Sequence, residues 1–123
     1  MPDPRHALGE RAEAAAAAWL EAHDWTILAR RWRCAHGELD LVAKDPDGVL
    51  VAIEVKLRRT GRAGDPLDSI NRQRLGRLRA ALGRFRSEAA EPVGSGVRVD
   101  LVTFRPGEDG LWRVTHHRGI DAW

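Results

Sequence analysis

A single cysteine, Cys34, in 123 residues excludes an intramolecular disulfide and a zinc site built from several thiolates. No apolar run approaches the roughly 20 residues that a membrane-spanning helix needs. The alanine run Ala14 to Ala18 is short and flanked by glutamates. The segment Met1-Pro2-Asp3-Pro4-Arg5-His6 has no apolar stretch behind its charges, so no secretory signal is expected. Excess charge of one sign is also missing, since 20 basic and 18 acidic residues leave a formal net charge of +2. What is present is globular in composition, 43% hydrophobic and 31% charged. A chain of this length buries roughly 65% of its unfolded surface, enough for one core. The expectation is one cytoplasmic domain over residues 1–123, without a membrane partner.

The near-zero net charge conceals an uneven distribution. Residues 58 to 86 hold nine arginines against Asp65 and Asp68, a local balance of +7, while the flanking segments sum to −3 and −2. A basic segment in a slightly acidic domain is the footprint of phosphate-backbone binding, although a solvated helix face gives the same pattern. Eighteen of the 20 basic residues are arginine, which suits bidentate phosphate contacts.

Asp3 before Pro4 reads as a helix N-cap, and Leu8, Ala12, Ala15, Ala16 and Trp19 carry helical spacing to about His23. Trp25 to Ala29 is β-prone, with Arg30 to Arg33 as its charged continuation. Leu39, Leu41 and Ala43 alternate with Glu38, Asp40 and Val42, and Val49 to Leu57 alternates as clearly. Gly61, Gly64 and Pro66 mark a loop over 58–66. From about Asp68 the pattern is helical again, with a stripe of Leu75, Leu78, Leu82 and Phe85 and an arginine edge of Arg72, Arg79 and Arg86. Gly76 and Gly83 each cost that helix roughly 1 kcal/mol against alanine, so packing must stabilise it. Residues 91–96 break the chain, and Val97 to Phe104 and Leu111 to His116 read as strands joined by a turn over 105–110. The expected fold is α/β, a mixed sheet of about five strands flanked by helices in the order α-β-β-β-α-β-β.

Asp45-Pro46-Asp47-Gly48 is the most informative turn. Its residues suit a type I turn ending in a left-handed glycine, the common three-residue hairpin loop. A loop of residues 46–48 sets Asp45 against Val49, so that paired positions sum to 94. Asp40 then lies opposite Glu54, with Lys56 and Glu38 on the same face and Leu39, Leu41, Val51, Ile53 and Val55 on the other. Two carboxylates this close repel unless a proton or cation sits between them, and oxygen ligands at such spacing suit Mg²⁺. The alternative is a cross-strand ion pair of Lys56 with Glu54 or Asp40 on a solvated face. Leu50 and Ala52 share that face, however, and an apolar start argues that it is covered. Arg98 and Asp100 read as a structural ion pair. His6, His23, His36, His116 and His117 are not at ligand spacing and read as non-catalytic.

Gly9-Glu10-Arg11-Ala12-Glu13-Ala14-Ala15, Arg30 to Cys34, Gly37-Glu38-Leu39-Asp40-Leu41 and Glu54-Val55-Lys56 together resemble the YraN family of small bacterial proteins. Val97 to Val102 and Asp121-Ala122-Trp123 fit its later segments, so the resemblance covers nearly the whole chain. That family is similar to the PD-(D/E)xK nuclease superfamily, which includes restriction enzymes and archaeal Holliday junction resolvases. The resemblance implies a restriction-endonuclease-like fold. It also implies Asp40, Glu54 and Lys56 as the catalytic set, and a Mg²⁺ or Mn²⁺ ion held by Asp40, Glu54, the Val55 carbonyl and Glu10. Glu38 is then a supporting residue. Relatives often carry a lysine where this chain has Gln73-Arg74, so Arg74 is read as a phosphate contact beside Arg58, Arg72, Arg77 and Arg79.

The leading expectation is a metal-dependent nuclease on DNA, selective for structure or junctions, for which a homodimer would suit two-fold substrates. The runner-up is a nucleic-acid-binding module that keeps the fold without turnover. A third reading is a protein-interaction domain whose arginine helix meets an acidic partner.

Overall fold

A computed structural model describes residues 4–58, 70–90 and 96–122, with side chains from Leu8 to Asp121 within those spans. Helix α1 (Pro4–Ala22) is followed by β1 (Thr26–Cys34), β2 (Gly37–Lys44) and β3 (Leu50–Leu57). Helix α2 (Arg72–Glu88), β4 (Val97–Pro106), β5 (Trp112–His117) and a 3₁₀ turn (Ile120–Ala122) complete the chain. The strands form one sheet in sequence order, with β3 and β4 parallel across the α2 crossover and every other neighbour antiparallel. The expected mixed α/β architecture and element order are those observed.

Each face of the sheet carries a helix, which is why β3 reads as a nearly continuous apolar run. Leu41, Ala43, Val51, Ile53, Val102 and Phe104 pack with Ala12, Ala16, Ala17 and Leu20 of α1 and with Trp25. On the other face Val42, Leu50, Ala52, Val99 and Leu101 pack with Leu78, Ala81 and Leu82 of α2. The stripe expected for α2 holds: Leu78 and Leu82 are buried, and Leu75 and Phe85 pack half-buried beside them, Phe85 edge-on to Trp32. The helix starts at Arg72 rather than near Asp68, because Asn71 is extended and its side chain accepts the Arg74 N–H. Of the other readings, the Asp3 cap, most of the 58–66 loop and most of the 91–96 breaker lie outside the described residues.

One expectation fails. The alternation puts Leu39 and Leu41 on one face, yet Leu39 packs with the α2 cluster and Leu41 with the α1 cluster. The reason is visible in β1, where Arg31 has a left-handed φ of 48°. The ladder pairs run Arg30↔Leu41 and Trp32↔Leu39, and the step between them, Arg31 beside Asp40, is left unpaired. A residue outside the β region interrupts the alternation of β1, and the change of face in β2 falls at the same step of the ladder.

The turn after β2 is tied down by Asp45. Its backbone N–H donates to the Val49 carbonyl at 3.0 Å, and its side chain accepts from Asp47 N–H and Val49 N–H at 2.9 Å each. Gly48 supplies the left-handed residue, with φ 88°. The other Asp45 oxygen takes Arg98 Nη1 at 2.9 Å, and Arg98 also holds Asp100, which accepts from Gly119 N–H and pairs with His116 Nε2. Arg98 and Asp100 are thus the expected structural pair, joining the hairpin turn to β4, and His116 is absorbed into the same buried network.

Burial pushes the Asp45 carboxyl up, but the N–H donors and Arg98 outweigh it and hold it below the usual carboxylate range. Its contribution is therefore complete above about pH 4 and is lost as the pH falls through the folded value. Asp45→Ala should lower the unfolding free energy by about 3 kcal/mol at pH 7, because it takes the acceptor from the Asp47 and Val49 N–H groups and one of two carboxylates from half-buried Arg98. In urea titrations that difference should shrink below about pH 4; a pH-independent loss, or one under about 1 kcal/mol, would contradict this role.

Candidate active site

The β2–β3 ladder runs Lys44↔Leu50, Ala43↔Val51, Val42↔Ala52 and Leu41↔Ile53. Every pair sums to 94, the register expected from the turn; the paired ladder ends one step before Asp40 and Glu54, whose charges interact. There the backbone ladder gives way to a side chain, as Asp40 Oδ2 accepts the Val55 N–H at 2.9 Å. Val55 thereby fixes the Asp40 carboxylate through its amide.

Glu54 is the most deeply buried acid of the pair, its side chain 2% exposed. Oε2 accepts from Arg74 Nη2 at 3.0 Å and lies 3.8 Å from Lys56 Nζ. Oε1 is buried and has no hydrogen-bond partner. The face carrying Glu54 is covered by α2, as Leu50 and Ala52 implied. The Arg74 contact was not expected: this residue was read as a phosphate contact, and the structure instead places its guanidinium on Glu54. Arg74 sits in the first turn of α2, and α2 packs on the β3 face that carries Glu54.

Asp40 feels the same crowding. Burial, and then the Glu54 charge, push its carboxyl up to about 7, with Glu13 adding to the rise; the Val55 N–H and Lys56 oppose it. The two carboxylates therefore compete for neutralisation. This donor set fits a hard divalent cation, since one buried carboxylate oxygen is unmatched and the neighbouring acid resists ionisation. Among the described residues no three His, Cys, Asp or Glu side chains gather as metal ligands. Two carboxylates with water are nevertheless a usual Mg²⁺ complement.

The other expected residues separate into groups. Glu10 accepts from Arg31 Nη1 and Glu13 from Arg31 Nε, both at 2.8 Å, so two α1 acids grip the left-handed arginine next to Asp40. Glu13 and Arg31 were not singled out from sequence. Their signal was the three-residue spacing of Glu10 and Glu13, which puts both on one helix face. Glu38 is engaged by Arg33, its cross-strand partner, at 2.7 Å. Arg72 and Arg77 are exposed on α2, whereas Arg79 pairs with Asp121 at 3.3 Å and helps dock the 3₁₀ turn. Arg58 is half-buried, its N–H on the Phe104 carbonyl.

Fold and site together describe a small mixed α/β protein that buries Glu54 beside half-buried Asp40, with a lysine and an arginine reaching in from the rim between a sheet and a basic helix. Residues 12–104 match the uncharacterised protein family UPF0102, the YraN family, and the chain belongs to it. A UPF0102 protein of Beutenbergia cavernae is 39% identical over 116 residues, covering 94% of this chain and 97% of that protein. One from Streptomyces coelicolor is 40% identical over 118 residues, 94% of this chain and 89% of the relative. One from Chloroflexus aurantiacus is 40% identical over 102 residues, 83% and 82% of the two chains. The matched span includes Glu13, Arg31, Asp40, Glu54, Lys56 and Arg74 and begins two residues after Glu10. No helix among the described residues is long and apolar enough to cross a membrane.

The raised Asp40 carboxyl makes a signed prediction. Between about pH 4 and pH 7 the folded protein binds more protons at Asp40 than the unfolded chain, so stability falls as the pH rises through that window. Glu54, Glu13, Lys56 and Arg74 are the charges this group faces. In a chelator, Asp40→Asn should raise the melting temperature more at pH 8 than at pH 5. An equal gain at both, by scanning calorimetry, would contradict the crowding.

Proposed function

We propose that this chain is a divalent-cation-dependent nuclease that hydrolyses phosphodiester bonds in DNA. The observation that carries the reading is the unmatched, buried Oε1 of Glu54 beside Asp40. A buried carboxylate oxygen without a donor costs free energy unless a cation completes it. Its support is the resemblance of Gly37-Glu38-Leu39-Asp40 and Glu54-Val55-Lys56 to the PD-(D/E)xK nucleases.

Asp40 and Glu54 would hold Mg²⁺ or Mn²⁺, with the Val55 carbonyl and Glu10 as the further ligands that the resemblance implies. When bound, such an ion activates water as a nucleophile and neutralises charge on the phosphate. The protein's own part is orientation. Val55 N–H aims the Asp40 carboxylate, and the hairpin turn fixes Glu54 against it. Lys56, 35% exposed, has its ammonium next to Glu54 Oε2 and open to solvent, where it can meet a phosphate oxygen or the attacking water. Arg72 and Arg77 on the outer face of α2 are free to bind the phosphate backbone, a role that Arg79 and Arg74, already paired, fill less readily.

One observation favours the second reading, a nucleic-acid-binding module without turnover. Arg74 and Lys56 already place two cations at Glu54 Oε2, so the site is partly neutralised without a metal.

Cleavage assays on duplex, single-stranded, flapped and four-way DNA with Mg²⁺ or Mn²⁺ separate the two. The nuclease reading expects cleavage that EDTA abolishes. Asp40→Asn, Glu54→Gln and Lys56→Ala should each remove it by at least about a hundredfold while DNA binding persists. Arg72→Ala with Arg77→Ala should weaken binding on all sequences and lower the salt slope by roughly 0.9 per lost phosphate contact. Binding without cleavage in the parent protein would leave the module. Carboxylate variants that lose fold and binding together would mark a structural ion pair.

A further inference from the structure

We propose that Arg74 is the built-in counter-ion of Glu54, and that a divalent cation binds this site in competition with it. The inference rests on the reading that Asp40 and Glu54 hold such a cation. It goes beyond that reading by assigning the control of cation affinity to a residue of α2.

The geometry behind it is asymmetric. Glu54 is held from one side alone: Arg74 Nη2 at 3.0 Å and Lys56 Nζ at 3.8 Å both address Oε2, while Oε1 has no hydrogen-bond partner. A guanidinium on one oxygen lowers the cost of burying the charge without completing the carboxylate. The Arg74 side chain is 44% exposed although its partner is 2% exposed, so it reaches in from the rim of the site. It also interacts with Asp40 through space, which puts its charge within range of both candidate ligands.

Two cations cannot share this space cheaply. A monovalent guanidinium and a divalent ion drawn to the same pair of carboxylates repel one another, strongly so where water is scarce. Cation binding therefore either displaces Arg74 from Glu54 or is weakened by its presence. In both cases the empty site stays stable because Arg74 neutralises it. The charge is not needed for helix initiation, since Asn71 Oδ1 caps α2 through the Arg74 backbone N–H and not through its side chain.

The test is calorimetric titration of the full chain with Mn²⁺ alone at pH 8, for the parent, Arg74→Gln and Arg74→Lys. Arg74→Gln should bind Mn²⁺ about tenfold or more tightly than the parent, and Arg74→Lys, which keeps the charge, should stay within about threefold of it. If Arg74→Gln fails to fold, as judged by circular dichroism, Arg74→Met makes the same comparison. Parent binding with unchanged or weaker affinity in the neutral variants overturns the counter-ion and leaves the cation reading standing. Mn²⁺ binding by the Gln variant but not by the parent supports the proposal in its strongest form. No binding by any of them overturns the proposal together with the cation reading on which it rests.

Discussion

A carboxylate taken out of water must be matched by a cation or a proton, and this sheet buries Glu54 with one oxygen unmatched. The rest of the site is arranged around that demand. Lys56 and Arg74 come to Oε2 from the same strand and from the overlying helix, and Asp40, set beside Glu54 by the hairpin register, holds on to its proton up to about pH 7. No apolar side chain at position 54 would create this tension, and Ala52 and Leu50 on the same face show how readily the fold accepts one.

The tension persists because the scaffold leaves the carboxylates no room to part. Asp45 closes the turn with both of its backbone and side-chain groups and is fixed from outside by Arg98, which also grips buried Asp100 on β4. Slipping the hairpin by one residue would turn every side chain of β3 to the other face, taking Glu54 away from Arg74 and into the apolar side packed on α1. On the other flank, Arg31 accepts a left-handed backbone beside Asp40, and two ion pairs from α1 hold it there. Strained or irregular backbone of this kind gathers at functional sites in folded proteins.

Much of this was legible in the sequence where local chemistry decides the outcome. Pro46-Asp47-Gly48 specifies its turn, the turn specifies the register, and the register brings Asp40 to Glu54; Leu75, Leu78, Leu82 and Phe85 likewise mark the buried side of α2. What was illegible depends on tertiary geometry. Nothing in the composition of Arg30-Arg31-Trp32 announces a left-handed residue, so the change of face at Asp40, and with it the position of Leu39, was missed. Arg74 lies in the charge-rich stretch where every arginine resembles a phosphate contact, and only the placement of α2 over β3 separates it from Arg72 and Arg77. The pairing of Arg79 with Asp121 was illegible for the same reason, the two being distant in sequence. Glu10 drew attention through the resemblance, whereas Glu13 is the α1 acid whose charge is felt at Asp40.

The central claim is that Glu54 Oε1 and Asp40 together form a cation site. Anomalous diffraction from crystals of the protein grown with Mn²⁺ tests it most directly. The account predicts one strong peak within coordination distance of Asp40 and Glu54 Oε1, which disappears in Glu54→Gln. A protein that diffracts well at millimolar Mn²⁺ with no peak between these carboxylates, or with the same peak retained in Glu54→Gln, would contradict it.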